Sequence, residues 1–368
     1  MTLDWLEGQE STPAFSLTME GQDITTKIEK RLKSLTLTDN RGFEADQLDI
    51  ELDDADGALK LPRRGVDLTL ALGWKGQALT PKGRFTVDEI EHSGAPDVLR
   101  ITARSADFRD TLNIQRDASY HDVTLGDIVT TIAKRNKLEV ALDSEMAKTH
   151  INHVDQTNES DGSFLTRLAK QEGAIASVKG GKLLFIRQGQ GKTASGKPIP
   201  AVTITRAKGD GHRFGLADRG AYTGVTANWL NTREPKKKEQ VAVKRKRRTS
   251  KPKEPEAKQG EYLMGTEGNV LVLGHTYANK GNAERAAKAA WQKLQRGVAT
   301  FTIDLARGRA DLYPEMPVKV NGFKAEIDAA DWLLTTVTHS LNESGYTNTL
   351  ELEVKIDDLS MEQGCLVL

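Results

Sequence analysis

Four groups of residues have types and spacing that could do chemistry. Gly191-Lys192-Thr193-Ala194-Ser195-Gly196-Lys197 matches the first seven positions of a phosphate-binding P-loop, where backbone amides cradle phosphates and the lysine reaches them. The eighth position, whose hydroxyl would hold Mg²⁺, is Pro198, and Ile199-Pro200-Ala201-Val202 continues extended instead of opening a helix. The motif reads as a glycine-rich turn between strands. His150 and His153, with Asp155, carry metal-ligand types, but they lack helical spacing and a thiolate partner, so a surface loop is expected. Asp53-Asp54-Ala55-Asp56-Gly57 is acidic enough for calcium. An EF-hand register with Gly57 as the turn glycine puts Leu52 and Arg63 where oxygen ligands belong, so the segment reads as a tight turn built from short carboxylates and a glycine. For hydrolysis, no G-x-S-x-G occurs and no carboxylate pair is set apart from the rest. These readings lead to no enzyme, no cofactor and no metal.

The fourth group is electrostatic. Pro235 to Lys258 holds 11 Lys+Arg against 3 Asp+Glu, which leaves 41 basic and 49 acidic residues elsewhere, a body of net charge −8. Lys236, Lys237, Lys238, Lys244, Arg245, Lys246, Arg247, Arg248, Lys251 and Lys253 are candidate contacts to nucleic acid or another acidic partner, because each neutralised phosphate releases counterions. The segment contains no aromatic residue for base stacking and no reading helix, which argues against sequence-specific recognition. With three prolines and dense like charge it is expected to be a flexible loop over 235–258.

The elements that would position these groups follow from hydrophobic periodicity. In Ser34 to Gly65, Leu48, Ile50 and Leu52 alternate with Asp49, Glu51 and Asp53, which predicts a half-buried strand ending on the acidic turn. Val66, Leu68, Leu70 and Leu72, then Phe85 and Val87, then Leu99, Ile101 and Ala103 predict further strands, with Gly94-Ala95-Pro96-Asp97 as a turn. Helical spacing begins at Leu125, Ile128, Val129, Ile132 and Ala133 behind a Thr124/Asp127 capping box, and recurs at Phe164, Leu165, Leu168 and Ala169 before Gly173. A hairpin is predicted from Ile175–Val178 and Leu183–Ile186 around Gly180-Gly181. Strands return after Pro200, in Val202–Thr205 and again around Tyr222 to Leu230, a third helix is expected near 282–296, and the chain finishes in strands from Thr300 to Ile356. Residues 62–105 and 314–355 repeat one order: Pro, strand, Gly, strand, turn, strand. The expected fold is mainly β with an α+β insertion: a first tube-like β-barrel domain over 1–110, a small α+β domain over 111–195, and a second tube-like β-barrel domain over 196–368.

A length of 368 residues suits about two to three domains, and a single cysteine, Cys365, excludes an intramolecular disulfide. The acidic start MTLDWLEGQE has no apolar stretch of signal-peptide type, and no run approaches the ~20 apolar residues of a membrane span. Cys365-Leu366-Val367-Leu368 fits a prenylation pattern only formally, since no polybasic stretch lies just upstream.

Five passages together resemble the late control gene D protein family of contractile-tailed temperate phages: SLTLTDNRGFEADQLDIELDDADG, GRFTVDEIEHSGAPDVLRITARSADFR, ESDGSFLTRLAKQEG with VKGGKLLF, DRGAYTGVTANW, and GRADLYPEMPVKVNGF with YTNTLELEVK. The resemblance spans most of residues 34–355. It implies a structural baseplate hub of a contractile phage tail, assembled in the host cytoplasm and carried in the virion. It further implies a homotrimer joining a hexameric tail tube protein to a trimeric central spike protein, near tape-measure and baseplate wedge proteins. DNA would pass through the channel without specific binding, helped by an acidic lumen. A rival expectation is a DNA-binding regulator of late genes acting through the basic segment, and a cell-wall hydrolase is a third.

Overall fold

The computed structural model describes residues 12–105, 111–179, 181–207, 209–216, 222, 224–230, 238–244, 269–277, 279–297 and 299–355. Alternating side chains dictate the first unit. It contains β1 (Pro13–Met19), β2 (Gln22–Asp23), the one-turn helix α1 (Thr25–Ile28), β3 (Leu32–Asp39), β4 (Gln47–Asp53), β5 (Asp67–Trp74), β6 (Thr80–Ser93) and β7 (Val98–Ser105). The strands pair antiparallel in the order β3-β4-β7-β6-β5-β1. Leu35, Leu37, Leu48, Ile50, Leu68 and Leu70 point to one face and form its core, as a period of two requires.

The middle unit comprises β8 (Gln115–Thr124), α2 (Leu125–Arg135), β9 (Glu139–Leu142), α3 (Ser144–Ala147), β10 (His150–Ser160), α4 (Asp161–Glu172), β11 (Ala174–Lys179) and β12 (Lys182–Arg187). The expected capping box forms at Thr124 and Asp127, and α4 stops at Gly173, whose φ of 67° is left-handed. Ile128, Ile132, Phe164 and Leu168 of the two helices close a core over Leu183 and Phe185. His150 and His153 lie on β10, a strand, where a loop was expected. The β8–β10 ribbon was hard to foresee because its outward residues are nearly all polar.

The last unit runs through β13 (Val202–Thr205), β14 (Gly211–Leu216), β15 (Gly224–Leu230), β16 (Lys238–Lys244), β17 (Val270–Tyr277), α5 (Lys280–Arg296), β18 (Ala299–Leu305), β19 (Pro317–Asn321), α6 (Ala325–Asp328), β20 (Trp332–Asn342) and β21 (Gly345–Val354). Part of the expected flexible loop is therefore a strand. Lys238–Lys244 pairs with β15, because Val241 and Val243 within it pack toward α5 and Trp291. The order along the main sheet is β14-β18-β21-β20-β19-β13. The β16-β15-β17 sheet and α5 are inserted between β14 and β18.

The first and last units match strand for strand. In chain order β1, β3, β4, β5, β6 and β7 correspond to β13, β14, β18, β19, β20 and β21, and among these six strands of its own unit each has the same neighbours as its counterpart. The one difference in sense is that β1–β5 is antiparallel and β13–β19 parallel. A bulge also repeats. The register steps from Val87↔Ala103 to Glu89↔Thr102 in one unit, and from Leu334↔Leu352 to Thr336↔Glu351 in the other. Beside it, Gly65 N donates to Val87 O (2.8 Å) and Val87 N to Val66 O (2.9 Å). The counterparts are Glu315 N to Leu334 O (2.9 Å) and Leu334 N to Met316 O (3.0 Å).

Neither unit closes into a hydrogen-bonded barrel among the described residues, contrary to the expected tube-like closure. The outer edge of β1 is taken locally: Leu17 N donates to Thr25 Oγ1 (2.9 Å) and Ile24 N to Leu17 O (3.0 Å). Instead β20 pairs with β3, and the two units merge into one 13-stranded sheet. Phe301 is fully buried against Trp332 (ring centroids 5.2 Å) and Phe323 (5.1 Å). Phe301→Ala is expected to cost about 3–5 kcal/mol by opening a cavity. Calorimetry should show a lowered melting transition of the last unit, and an unchanged profile would contradict this packing.

Candidate functional site

The motifs suspected of chemistry are occupied by local structure. In the P-loop-like stretch Thr193 N donates to Lys197 O and Gly196 N to Thr193 O, both at 2.8 Å, so those amides face the chain and not a phosphate. The stretch turns back on itself through a Lys192–Pro198 bridge and leads to β13, not to a helix. In the acidic turn Asp53, Asp54 and Asp56 accept from the amides of Ala55, Leu59 and Ala58. The Arg31 guanidinium grips Asp56 and holds its carboxyl down at about 2. His153 stacks on His121 across the ribbon (centroids 4.5 Å, Nδ1···Nδ1 3.0 Å), and its Nε2 lies 2.9 Å from Asp155. His150 instead meets Asp122, so β10 does not bring His150 and His153 to one centre. No group of three metal-ligating side chains occurs among the described residues. Lys238 and Lys244 bound β16, whereas Lys236, Lys237, Arg245, Lys246, Arg247, Arg248, Lys251 and Lys253 lie outside the described residues.

The site on which all the units converge is the β3–β4 connection, Asn40-Arg41-Gly42-Phe43-Glu44-Ala45-Asp46. Asn40 holds its shape, with its N donating to Asp46 Oδ1 (2.9 Å) and its Nδ2 to Ala45 O (3.2 Å). Arg41 reaches into the last unit. Its Nε lies 2.6 Å from Glu315 Oε1 and its Nη1 2.6 Å from Glu353 Oε1. Arg296, from the end of α5, lies 3.5 Å from the same Glu353 oxygen and donates to Gln188 Oε1 (3.0 Å). Glu315 also accepts from Gly189 N at 3.2 Å, which brings in the chain leaving the middle unit. Two guanidiniums and two carboxylates thus share one nearly dry volume, with side-chain exposures of 4–16%. Burial pushes the Glu315 carboxyl up, against Arg41, and pushes Arg296 down, against Glu353. Glu315 has a left-handed φ of 71°, where its counterpart in the first unit is Gly65 at 85°. A glutamate there carries a backbone strain of about 1–3 kcal/mol that the surrounding contacts must hold.

The other end of the connection grips the middle unit. Lys179, on β11, binds Asp39, Asn40 O (3.2 Å) and Asp46 (3.4 Å). Burial pushes the Asp46 carboxyl up to about 6, with Lys179 opposing and Asp39 reinforcing. Phe43 packs on the middle core. A second contact lies near β5 and β6: Trp74 Nε1 donates to Gly308 O (3.0 Å) and Lys82 Nζ to Leu312 O (3.1 Å). Tyr346 and Leu341 of the last unit join the first unit's core. Gly308 is required there, since a Cβ would meet the Tyr346 ring at 2.7 Å. Sequence reading centred on the neighbouring acidic turn and missed this loop. The available signal was one arginine, one phenylalanine and two acidic residues in a turn too short to bury them itself.

A family model described as "Phage tail baseplate hub (GPD)" matches residues 41–345. The "Probable baseplate hub protein" of Escherichia phage 186 is 57% identical, over 98% of this chain and 97% of its own. The protein of the same description from Escherichia phage P2 is 57% identical, over 96% of each. Among solved structures, a tail protein from Neisseria meningitidis MC58 aligns at TM-score 0.66 and 14% identity, covering 93% of this chain and 96% of that one. The 43 kDa tail protein of prophage MuSo2 from Shewanella oneidensis aligns at 0.65 and 15%, covering 93% and 98%. Both show a shared fold.

Arg41→Ala leaves Glu315 buried without its cation and is expected to destabilise by about 3–5 kcal/mol. Differential scanning calorimetry should show the first unit melting apart from the rest, and retention of one unchanged transition would contradict the role given to Arg41. Asp46 supplies a pH test. Its folded pKa lies above the usual carboxylate value, so the folded state takes up the proton first and this group's burial penalty fades as pH falls through about 6. Asp46→Asn should therefore gain about 2 kcal/mol over the parent at pH 7 compared with pH 4.5, measured by urea unfolding; a difference independent of pH would refute it.

Proposed function

This chain belongs to the phage tail baseplate hub (GPD) family, and on that premise we propose that it acts as a structural adaptor between parts of the tail of unequal symmetry. The observation that carries the reading is the repeated unit: one strand order, one bulge and one set of flanking hydrogen bonds occur twice in the chain. Three copies would present six near-equivalent β units, enough to meet a hexameric tail tube on one face. The middle unit, which occurs once per chain, keeps threefold order available for a central spike. In that assembly each β unit acts as one segment of a tube-like ring, its sheet edges completed by neighbours.

The work is mechanical, with no bond made or broken. The convergence on Arg41 and Lys179 supports this reading, because an adaptor must hold its units at a fixed angle under load. The solvent faces of β4 and β21 carry Asp49 and Glu351, together with Glu51, which is ion-paired with Arg100 at 3.2 Å. Facing a central channel, such side chains would repel DNA phosphates at short range and let DNA slide past.

The test is a native mass measurement of the purified chain together with a pull-down against the tube protein of the same tail. Trimers that retain the tube protein are expected. A stable monomer with no affinity for tube or spike would overturn the adaptor reading.

A further inference from the structure

The chain contains its own template for how one β unit docks on another. β20 of the last unit pairs with β3 of the first over six residue pairs, from Val337↔Asp39 to Asn342↔Ser34. By the internal repeat, the counterpart of β20 is β6 and that of β3 is β14. Among the described strands both counterparts have open edges. β14 pairs only with β18, and β6 pairs with β5 only as far as Thr86, so Glu89–Ser93 has strand contact on the β7 side alone.

From this correspondence we propose that β6 of one copy pairs antiparallel with β14 of the next, placing Ile90 opposite Leu216, His92 opposite Phe214 and Ser93 opposite Arg213. This rests on the hub reading above and adds to it the strands and register that join the copies. The register comes from the repeat. Val87 corresponds to Leu334, so Ile90 corresponds to Val337 and Ser93 to Ser340. Likewise Ile50 corresponds to Ile303, so Leu37 corresponds to Phe214 and Asp39 to Leu216.

Two features of the side chains fit. Leu216 is 59% exposed, an unusual state for a leucine, and in this register it meets the half-buried Ile90. On the opposite face the exposed Glu91 lies opposite Gly215, which leaves room for a diagonal ion pair with the exposed Arg213. An uncovered edge is a hazard that a partner copy removes. Because the two edges differ, the contact is heterologous, and it closes a ring when every copy repeats it.

The experiment uses full-length chain carrying Cys365→Ser with Ile90→Cys and Leu216→Cys, assembled into phage tails that are purified and run on non-reducing gels. Directly paired cross-strand positions lie within disulfide reach. Covalent dimers and trimers are expected from the double variant and monomers from either single one. Tails that contain the double variant with no covalent oligomer would overturn the pairing and leave the hub reading intact. Tails that exclude even the unsubstituted chain would overturn the hub reading, and this inference with it. Should only the cysteine variant fail to enter tails, charge reversal decides. Glu91→Arg is expected to lower incorporation about fivefold, and adding Arg213→Glu to restore it; no restoration overturns the pairing.

Discussion

The fold depends on four charges that no single unit satisfies. Arg41 comes from the first β unit, Arg296 from the inserted helix α5, and Glu315 and Glu353 from the last β unit, with Gln188 and Gly189 of the segment leaving the middle unit as hydrogen-bond partners. A buried ion pair adds little net stability over an apolar contact, but breaking one leaves an uncompensated charge in a dry site. Such a network therefore penalises every arrangement of the units except the one in which all four groups meet. That is the property the proposed adaptor role requires.

The internal repeat explains why the network can sit where it does. Both β units have a connection between the strands corresponding to β3 and β4. In the first it is the seven-residue loop bearing Arg41, and in the last it holds the β15–β17 sheet and α5. The same topological position thus yields a short probe in one copy and a buttress in the other, and the two meet at Glu353. Glu315 shows a similar divergence, because a glycine position of the first unit has become a buried acid in the last. The duplicated parts keep the sheet, and their differences make the joint.

The β content, the repeat, helices α2, α4 and α5 and the α+β middle were legible in the sequence because periodicity records which face is buried. Leu48, Ile50 and Leu52, or Leu350, Leu352 and Val354, cannot alternate in that way without a core beneath them. β14 was not legible, since Gly211-His212-Arg213-Phe214-Gly215-Leu216 has too few apolar residues to show alternation when one edge is open. β16 was hidden by the charge around it, although Val241 and Val243 carried its pattern. The joint at Arg41 was illegible for a different reason: its partners are separated in sequence by more than 250 residues, and no local pattern encodes such a contact. Closed tubes were expected and no closed barrel occurs among the described residues; in the first unit, hydrogen bonding to Thr25 and β2 uses the edge of β1 that closure needs.

The proposed adaptor role turns on symmetry, and electron microscopy of isolated tails reads it directly in cross-section at the level of the hub. Six similar lobes that repeat in only three true copies, aligned with a sixfold ring above, are the predicted result. Three lobes alone, or six indistinguishable ones from six chains, would contradict it.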